Sequence, residues 1–216
     1  MLRGGRGGAI AGRSVLSVNP AVLLWDFGDT LVDERWMRRL PPECPTWDAV
    51  WVDVMADHAD DWNVGRVGAD EIFGALAGRS GMTAAAVRSH ARRCCESIVF
   101  NETAWRVASE RRLPQALVTV NPGLFADFVV PAYGLDDVFD VIVMSFAEQT
   151  DDKPALCDVA LERLGFTGPR SDALLIDNRR DLVEAWKELG GAGCWFQGDQ
   201  KLRADLPHLG LTPGGS

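Results

Sequence analysis

The apolar positions of this chain fall into five short runs, at residues 21–25, 116–120, 139–145, 173–177 and 193–196. Each run is too short for a globular helix and too continuously apolar for a half-exposed strand, so each predicts a strand buried on both faces. Between the later runs the apolar residues recur at i, i+3 and i+4, which predicts helices. Strands that alternate with helices indicate an α/β fold with a doubly wound parallel sheet.

Residues 36–98 follow a different pattern, because helical periodicity continues there without any strand-like run. Clustered prolines around residue 42 predict a loop, and helices are expected after Thr46, near Asp70 and after Thr83. We therefore expect a core formed by residues 20–35 and 99–205, with a small all-helical domain at 36–98. The Gly- and Arg-rich residues 1–19 are expected to be an unstructured leader, and residues 206–216 a flexible tail.

Polar residues stand at the ends of the predicted strands. Asp26, Thr119 and Asp177 each close an apolar run, and Lys153 begins the helix after a fourth run. In a parallel sheet the carboxyl ends of the strands lie along one edge, where open α/β sheets bind their ligands. Two carboxylates, with Asp181 as a third candidate, suit a hard cation such as Mg²⁺. A hydroxyl group and an ammonium group remain to hold an anion.

Composition excludes several classes of function. The net charge is −9, and the first 20 residues carry three arginines and no acid, so the rest carries −12. Such a chain is a poor binder of nucleic-acid phosphates, and no apolar run is long enough to span a bilayer. The five cysteines show no CxxC pair and the three histidines are scattered. Free thiols in a reducing, cytoplasmic environment are therefore expected, in a monomer or homodimer that acts on a small molecule.

Four motifs in order resemble those of the haloacid dehalogenase-like (HAD) hydrolase superfamily. They are DFGDTL at residues 26–31, LVT at 117–119, KP at 153–154, and LLID at 174–177 followed by Asp181. The resemblance covers about residues 20–200. It implies a Rossmann-like core with strand order 5-4-1-2-3, and it makes residues 36–98 a helical cap between the first and second motifs.

The resemblance implies a catalytic role for several of these residues. Asp26 would be the nucleophile of a phosphatase, forming an aspartyl-phosphate that water then hydrolyses. Thr119 and Lys153 would bind the transferring phosphoryl oxygens, and Lys153 would also keep Asp26 ionised. Asp29 is a further catalytic candidate, as a proton donor.

The resemblance also implies a Mg²⁺ site and substrate contacts. The expected metal ligands are Asp26, the carbonyl group of Gly28, Asp177 and Asp181. The expected substrate-binding residues, for a small phosphorylated metabolite, are Thr30, Asn121, Arg38 and Arg39. The two arginines lie near the first hinge of the cap, and we hypothesise from that position alone that they bind a second anionic group.

The first motif departs from the pattern of the superfamily at one position. Its phosphatases usually carry a second Asp two residues after the nucleophile, as the acid that protonates the leaving alcohol, and here that residue is Gly28. Asp29 is one residue out of place. Either another group supplies the proton, or the substrate has a leaving group that needs little protonation, such as an acyl phosphate, an aryl phosphate or a halide. A metal-free 2-haloacid dehalogenase and a catalytically silent module that binds phosphate and Mg²⁺ therefore remain alternatives.

Overall fold

The computed structural model describes residues 19–33, 39, 41 and 43–211. Its centre is one sheet of five parallel strands. The strands are β1 (Val22–Trp25), β2 (Gln115–Thr119), β3 (Val141–Met144), β4 (Ala173–Asp177) and β5 (Ala192–Trp195). The leader up to residue 18 and the last residues of the expected tail, 212–216, lie outside the described residues.

The strand order is β3-β2-β1-β4-β5, which confirms the predicted order 5-4-1-2-3. β1 lies at the centre, and the chain adds β2 and β3 on one side of it and β4 and β5 on the other. The direction of winding therefore reverses at β1, and the carboxyl ends of β1, β2 and β4 meet where such sheets open a crevice for ligands.

The sheet has an apolar layer on each face because its strands alternate side chains between the two faces. In β1, Val22 and Leu24 join one buried cluster, which also contains Leu156 and Trp186. Leu23 and Trp25 join the other cluster. That second cluster continues without interruption into the helices that follow β1, so the core and the inserted helices share buried surface.

Three helices stand between β1 and the next core helix: α1 (Trp47–Asn63), α2 (Ala69–Ser80) and α3 (Ala84–Cys95). The core helices are α4 (Glu102–Ser109), α5 (Val130–Tyr133), α6 (Leu135–Val138), α7 (Ser145–Glu148), α8 (Lys153–Arg163), α9 (Arg180–Glu188) and α10 (Asp199–Asp205). No helix in the described part of the chain combines the length and the apolar character that crossing a bilayer requires.

The two connections between the inserted helices and the core run side by side. Asn101 donates from its backbone N–H to the Leu31 carbonyl at 2.8 Å, and from its side-chain amide to the Thr30 carbonyl at 2.9 Å. A β-bridge between Val32 and Phe100 adds to this pairing. The described residues just before and just after the inserted helices are therefore held together by hydrogen bonds.

The structure differs from the predicted elements in several places. The third strand covers only Val141–Met144, because Ser145 already begins α7. The helix expected at 124–130 begins with one π-helical turn, Phe125–Val129, before α5. The flexible tail expected from residue 206 is corrected in its described part, because Leu206, Leu209 and Leu211 are buried against the core.

A buried glutamine joins the strands to the surrounding loops. Gln115 accepts a hydrogen bond from Trp25 Nε1 at 3.1 Å. Its side-chain amide donates to the carbonyl groups of Ala108 (2.7 Å) and Val138 (2.9 Å). The oxygen of this amide has a donor and its NH₂ group has two acceptors, as is usual for buried polar groups.

We expect Gln115→Leu to lower the free energy of unfolding by about 2–3 kcal/mol, because it leaves a buried indole N–H and two carbonyl groups without their partner. Urea denaturation followed by tryptophan fluorescence measures the change. Gln200→Leu, at an exposed position of α10, is the control and should change the free energy by less than about 0.5 kcal/mol. Equal effects of the two substitutions would contradict this view of Gln115.

Candidate active site

The loop after β1 turns the chain back toward the end of its own strand. Asp26 follows β1 and is anchored to β4 by its N–H, which donates to the Ile176 carbonyl at 3.0 Å. The carbonyl of Phe27 then accepts from the backbone N–H groups of Thr30, Leu31 and Val32 at 2.9–3.3 Å. Asp29, inside this turn, has a left-handed backbone with φ of 49°. Asp tolerates that conformation better than most residues, though glycine adopts it without cost.

The turn brings the Thr30 hydroxyl to Asp26. Thr30 Oγ1 donates to Asp26 Oδ2 at 3.2 Å and accepts from the backbone N–H of Asn178 at 3.0 Å. Thr30 is fully buried. It therefore orients the Asp26 carboxylate and ties the loop after β1 to the loop after β4.

Lys153 brings a positive charge to the same point from the first turn of α8. Its ammonium group donates to Asp26 Oδ1 and to the Val118 carbonyl, both at 2.6 Å. It also forms an ion pair with Asp177 Oδ2 at 3.0 Å. Only 1% of the side chain is exposed, so the ammonium is held by two hydrogen bonds and one ion pair, to groups at the ends of three strands. This ammonium joins β1, β2 and β4.

Asp177 is the second buried carboxylate. Its Oδ1 accepts from the backbone N–H of Arg179 at 2.8 Å. Its Oδ2 lies within ion-pair distance of Lys153 but is not aligned for a hydrogen bond. Among the side chains of the described residues it is the one buried polar atom without a hydrogen bond.

Burial and charge set the protonation of this cluster. Burial is the largest influence on Asp26 and raises its pKa from 3.8 to about 6; Lys153 opposes that rise and the charge of Asp177 adds to it. Burial alone would lower the pKa of Lys153, but the charges of Asp26 and Asp177 outweigh it and the pKa is raised. At neutral pH Asp26 is therefore ionised and Lys153 is protonated.

Thr119 and Asn121 form the wall contributed by the end of β2. Asn121 Nδ2 donates to Thr119 Oγ1 at 2.7 Å, which leaves the Thr119 hydroxyl proton available to another acceptor. The backbone N–H of Asn121 donates to Ser145 Oγ at 3.0 Å, and that hydroxyl donates to the Asn63 carbonyl at 2.6 Å. One buried hydroxyl thus links the loop after β2 to the end of helix α1.

Phe146 reinforces this link between the inserted helices and the core. Its ring lies so close to Gly65 and Gly123 that a Cβ atom on either glycine would stand about 3 Å from it. Gly65 follows α1 and also has a positive φ of 73°. Gly65 is favoured by its positive φ and by this close contact, whereas a side chain at position 123 would push against the partly exposed end of the ring.

These side chains surround a pocket of about 220 Å³ at the carboxyl edge of the sheet. It is lined by Asp26, Gly28, Asn63, Thr119, Val120, Asn121, Lys153, Asp177, Asn178, Arg179 and Leu182. The lining contains two buried carboxylates, the ammonium group of Lys153 and the hydroxyl group of Thr119, and Asn63 adds a wall from an inserted helix.

Several predicted site residues lie elsewhere. Asp29 is exposed and borders a separate depression beside Asn101, so the structure does not bring it to Asp26. Asp181 is 64% exposed, forms an ion pair with Arg179, and does not line the pocket. Arg39 is exposed, donates to Ser97 Oγ at 2.5 Å, and is also absent from the lining. Arg38 lies outside the described residues.

The lining fits a Mg²⁺ ion supplied with few protein ligands. The buried Oδ2 of Asp177 lacks a hydrogen bond, and Asp26 and Gly28 border the same space. The described residues contain no group of three or more His, Cys, Asp or Glu side chains placed to hold a metal. Water and substrate oxygens would therefore have to complete the coordination, as they commonly do for Mg²⁺.

Sequence reasoning missed Asn63, Ser145 and Arg179. Arg179 stands only two residues after Asp177, so its position close to the site can be predicted from the sequence. Asn63 ends a helix 37 residues after Asp26 and reaches the pocket only through the docking of α1. No local pattern indicates that docking.

Solved structures with the same fold were found, although no family model and no curated protein matches the chain. A HAD family enzyme from Bacteroides thetaiotaomicron superposes with a TM-score of 0.64 at 13% identity, over 83% of this chain and 95% of that one. The chain has the fold of the HAD hydrolases. An L-2-haloacid dehalogenase from Xanthobacter autotrophicus, with chloropropionic acid covalently bound, gives 0.60 at 17% identity over 90% and 85%.

A further structure of the Bacteroides enzyme, in complex with magnesium and inorganic phosphate, gives a TM-score of 0.60 at 12% identity, over 83% and 95%. A predicted HAD-like hydrolase from Porphyromonas gingivalis gives 0.59 at 15% identity, over 82% and 90%. The predicted HAD-like core is confirmed as a fold by these similarities.

We expect the Asp26 carboxyl of the metal-free protein to titrate near pH 6, because burial disfavours its ionised form. Carbon-13 NMR of protein labelled at the aspartate carboxyl groups measures the midpoint, and Asp26→Asn identifies the resonance. Added Mg²⁺ should lower the midpoint, because a cation beside the group favours its charged form. A midpoint near 4 without metal, or one that Mg²⁺ leaves unchanged, would contradict this description.

Proposed function

We propose that this protein is a Mg²⁺-dependent phosphoric monoester hydrolase that acts on a small phosphorylated metabolite through an aspartyl-phosphate on Asp26. The observation that carries the proposal is the buried ammonium group of Lys153, which lies 2.6 Å from Asp26 Oδ1 and 3.0 Å from Asp177 Oδ2 at the floor of the pocket. It keeps the nucleophile ionised and oriented, and it presents positive charge where phosphoryl oxygens would approach.

The reaction would proceed in two displacements. A carboxylate oxygen of Asp26, held by Thr30 and Lys153, attacks phosphorus while the bond to the ester oxygen breaks and the leaving oxygen takes up a proton from water. Water then attacks the aspartyl-phosphate and releases inorganic phosphate, which restores the carboxylate. The Thr119 hydroxyl, whose oxygen already accepts a hydrogen bond from Asn121, would donate a hydrogen bond to a phosphoryl oxygen in both steps.

Asp26, Asp177 and Gly28 are the residues that would hold Mg²⁺. When bound, the ion would offset the repulsion between an anionic nucleophile and an anionic substrate. We leave Asp181 out of the proposed ligand set because it is exposed and paired with Arg179. The inserted helices would act as a cap that limits the size of the substrate, with Asn63 at the pocket wall.

A haloacid dehalogenase is the second candidate, favoured by glycine at position 28, because halide leaves without a proton. The dehalogenase from Xanthobacter autotrophicus shares the fold. The buried Asp177 counts against this activity, since a second carboxylate beside Asp26 would repel the carboxylate of a haloacid.

A substrate panel tests the proposal and separates the candidates. We expect acetyl phosphate or p-nitrophenyl phosphate to release inorganic phosphate with Mg²⁺ but not with chelator, and 2-chloropropionate to release no chloride. Asp26→Asn should lower kcat by about a thousandfold or more, because it removes the nucleophile. Asp29→Asn is the matched control and should leave kcat essentially unchanged, since Asp29 is exposed away from the pocket.

Other outcomes of the panel decide against the proposal. Chloride release that resists chelator would favour the dehalogenase. Phosphate binding without any turnover would indicate a silent binding module. An Asp29→Asn effect as large as that of Asp26→Asn would place a catalytic acid at the exposed position.

Gly28→Asp tests whether a missing proton donor limits the reaction. We expect it to raise kcat/KM on alkyl phosphates by roughly tenfold to a hundredfold, because their alkoxides leave poorly without a proton. The same change should have little effect on acetyl phosphate. Gly28→Asn, of similar size but without an acidic proton, is the control and should give no gain. No increase in a folded Gly28→Asp protein would show that another group already supplies the proton.

A further inference from the structure

A second cationic residue, besides Lys153, lines the pocket. Arg179 follows β4 by two residues and precedes α9, and its backbone N–H is fixed to Asp177 Oδ1 at 2.8 Å. Arg179 belongs to the lining of the pocket, together with Asn63 of the inserted helices. Arg179 takes no part in the two displacements of the proposed reaction.

The guanidinium of Arg179 is held from one side only. Its Nε and Nη2 donate to the two carboxylate oxygens of Asp181, at 3.3 and 2.5 Å. No described residue accepts from Nη1, so the other edge of the fork keeps unused donors. Asp181 therefore positions the guanidinium of Arg179 but leaves some of its N–H donors unused. Both side chains remain more than 60% exposed.

The guanidinium also lies within electrostatic reach of the catalytic carboxylates. The hydrogen bond with Asp181 is the largest cause that raises the pKa of Arg179, and the charges of Asp177 and Asp26 raise it further.

The two cationic side chains of the lining differ in how many of their N–H donors already have acceptors. Lys153 already donates hydrogen bonds to Asp26 and to the Val118 carbonyl and forms an ion pair with Asp177. Arg179 retains a planar edge, which is the geometry that binds carboxylate and phosphoryl groups with two parallel hydrogen bonds. In a protein with a net charge of −9, such an edge on a residue that lines the pocket favours an anion that the rest of the surface would repel.

We propose that Arg179 forms a subsite for a second anionic group, a carboxylate or a second phosphoryl group, on the organic part of the substrate. The inference rests on the proposed function, because it assumes that a phosphoryl group occupies the floor of the pocket near Lys153 and Thr119. It transfers to Arg179 the role that the sequence suggested for Arg38 and Arg39.

The chain offers a matched control in the next residue. Arg180 carries the same charge one position along, but its guanidinium lies over the Trp195 ring, 5.4 Å from the ring centroid. It is not part of the pocket lining. Replacing Arg180 changes the net charge equally without removing a donor from the pocket.

Non-hydrolysable phosphonates test the subsite without requiring turnover. The probes are 3-phosphonopropionate, its neutral analogue 3-phosphonopropionamide, and ethane-1,2-bisphosphonate, each titrated into the protein with Mg²⁺ and followed by calorimetry. We expect the wild type to bind at least one charged probe about tenfold more tightly than the amide, the gain of a charge-assisted hydrogen bond. The preferred charged probe identifies the group as carboxylate or phosphoryl.

The variants locate that preference. Arg179→Ala should reduce the preference to about onefold, Arg179→Lys should retain part of it, and Arg180→Ala should keep it in full. Asp181→Asn should weaken it partially, because the fork loses its support but keeps its charge. As a kinetic readout, the charged probe should compete with p-nitrophenyl phosphate less well in Arg179→Ala than in Arg180→Ala.

The results that overturn the subsite differ from those that overturn the activity. Equal binding of charged and neutral probes by the wild type, or an undiminished preference in Arg179→Ala, would refute the role of Arg179. If Arg180→Ala lost the preference for the charged probe to the same extent, the preference would depend on net charge alone, and the role of Arg179 would be refuted as well. Tight, Arg179-dependent binding by a protein that releases no phosphate would support the subsite and contradict the hydrolase.

Discussion

The structure depends on one buried ammonium group. Lys153 reaches from the first turn of α8 to the ends of three strands and places its charge between Asp26 and Asp177. A buried cation without partners would be costly, and so would either carboxylate alone, because each charge would lose its hydration without compensation. The three groups are therefore mutually dependent. Their combined charge is negative, and one oxygen of Asp177 still lacks a hydrogen bond, so the cluster remains suited to a further cation.

The surrounding hydrogen bonds show how a short loop fixes that arrangement. Thr30 receives the backbone of Asn178 and supports Asp26, while Asp177 receives the backbone of Arg179. Each functional carboxylate is thus oriented by a neighbouring loop rather than by its own strand alone. Prearranged donors of this kind need little reorganisation when charge develops in a reaction. The same loop after β4 also fixes the backbone of Arg179, whose side chain is held by Asp181 in α9.

Much of this could be predicted from sequence, because buried parallel strands carry a strong pattern and their carboxyl ends must share an edge. Asp26, Thr119, Lys153 and Asp177 follow from that pattern as neighbours at one edge of the sheet. The pairing of Asp181 with Arg179 depends on the direction of the backbone at the start of α9. That direction cannot be predicted from the residue types alone. Asp29 could be placed only once its left-handed backbone was seen. Asn63 depends on how one helix docks, which is a property of the whole apolar cluster rather than of a local pattern.

The Ser145 hydroxyl has a consequence for the motion of the inserted helices. It is buried, accepts from Asn121 in the loop after β2, and donates to the Asn63 carbonyl at the end of α1. Any displacement that lifts α1 from the core must break the second of these bonds and also separate Gly65 from the Phe146 ring. The freed hydroxyl would then turn toward the Asn121 carbonyl, 3.4 Å away. A movement of α1 would therefore alter both the Asn63 side of the pocket and the support of the wall that contains Asn121.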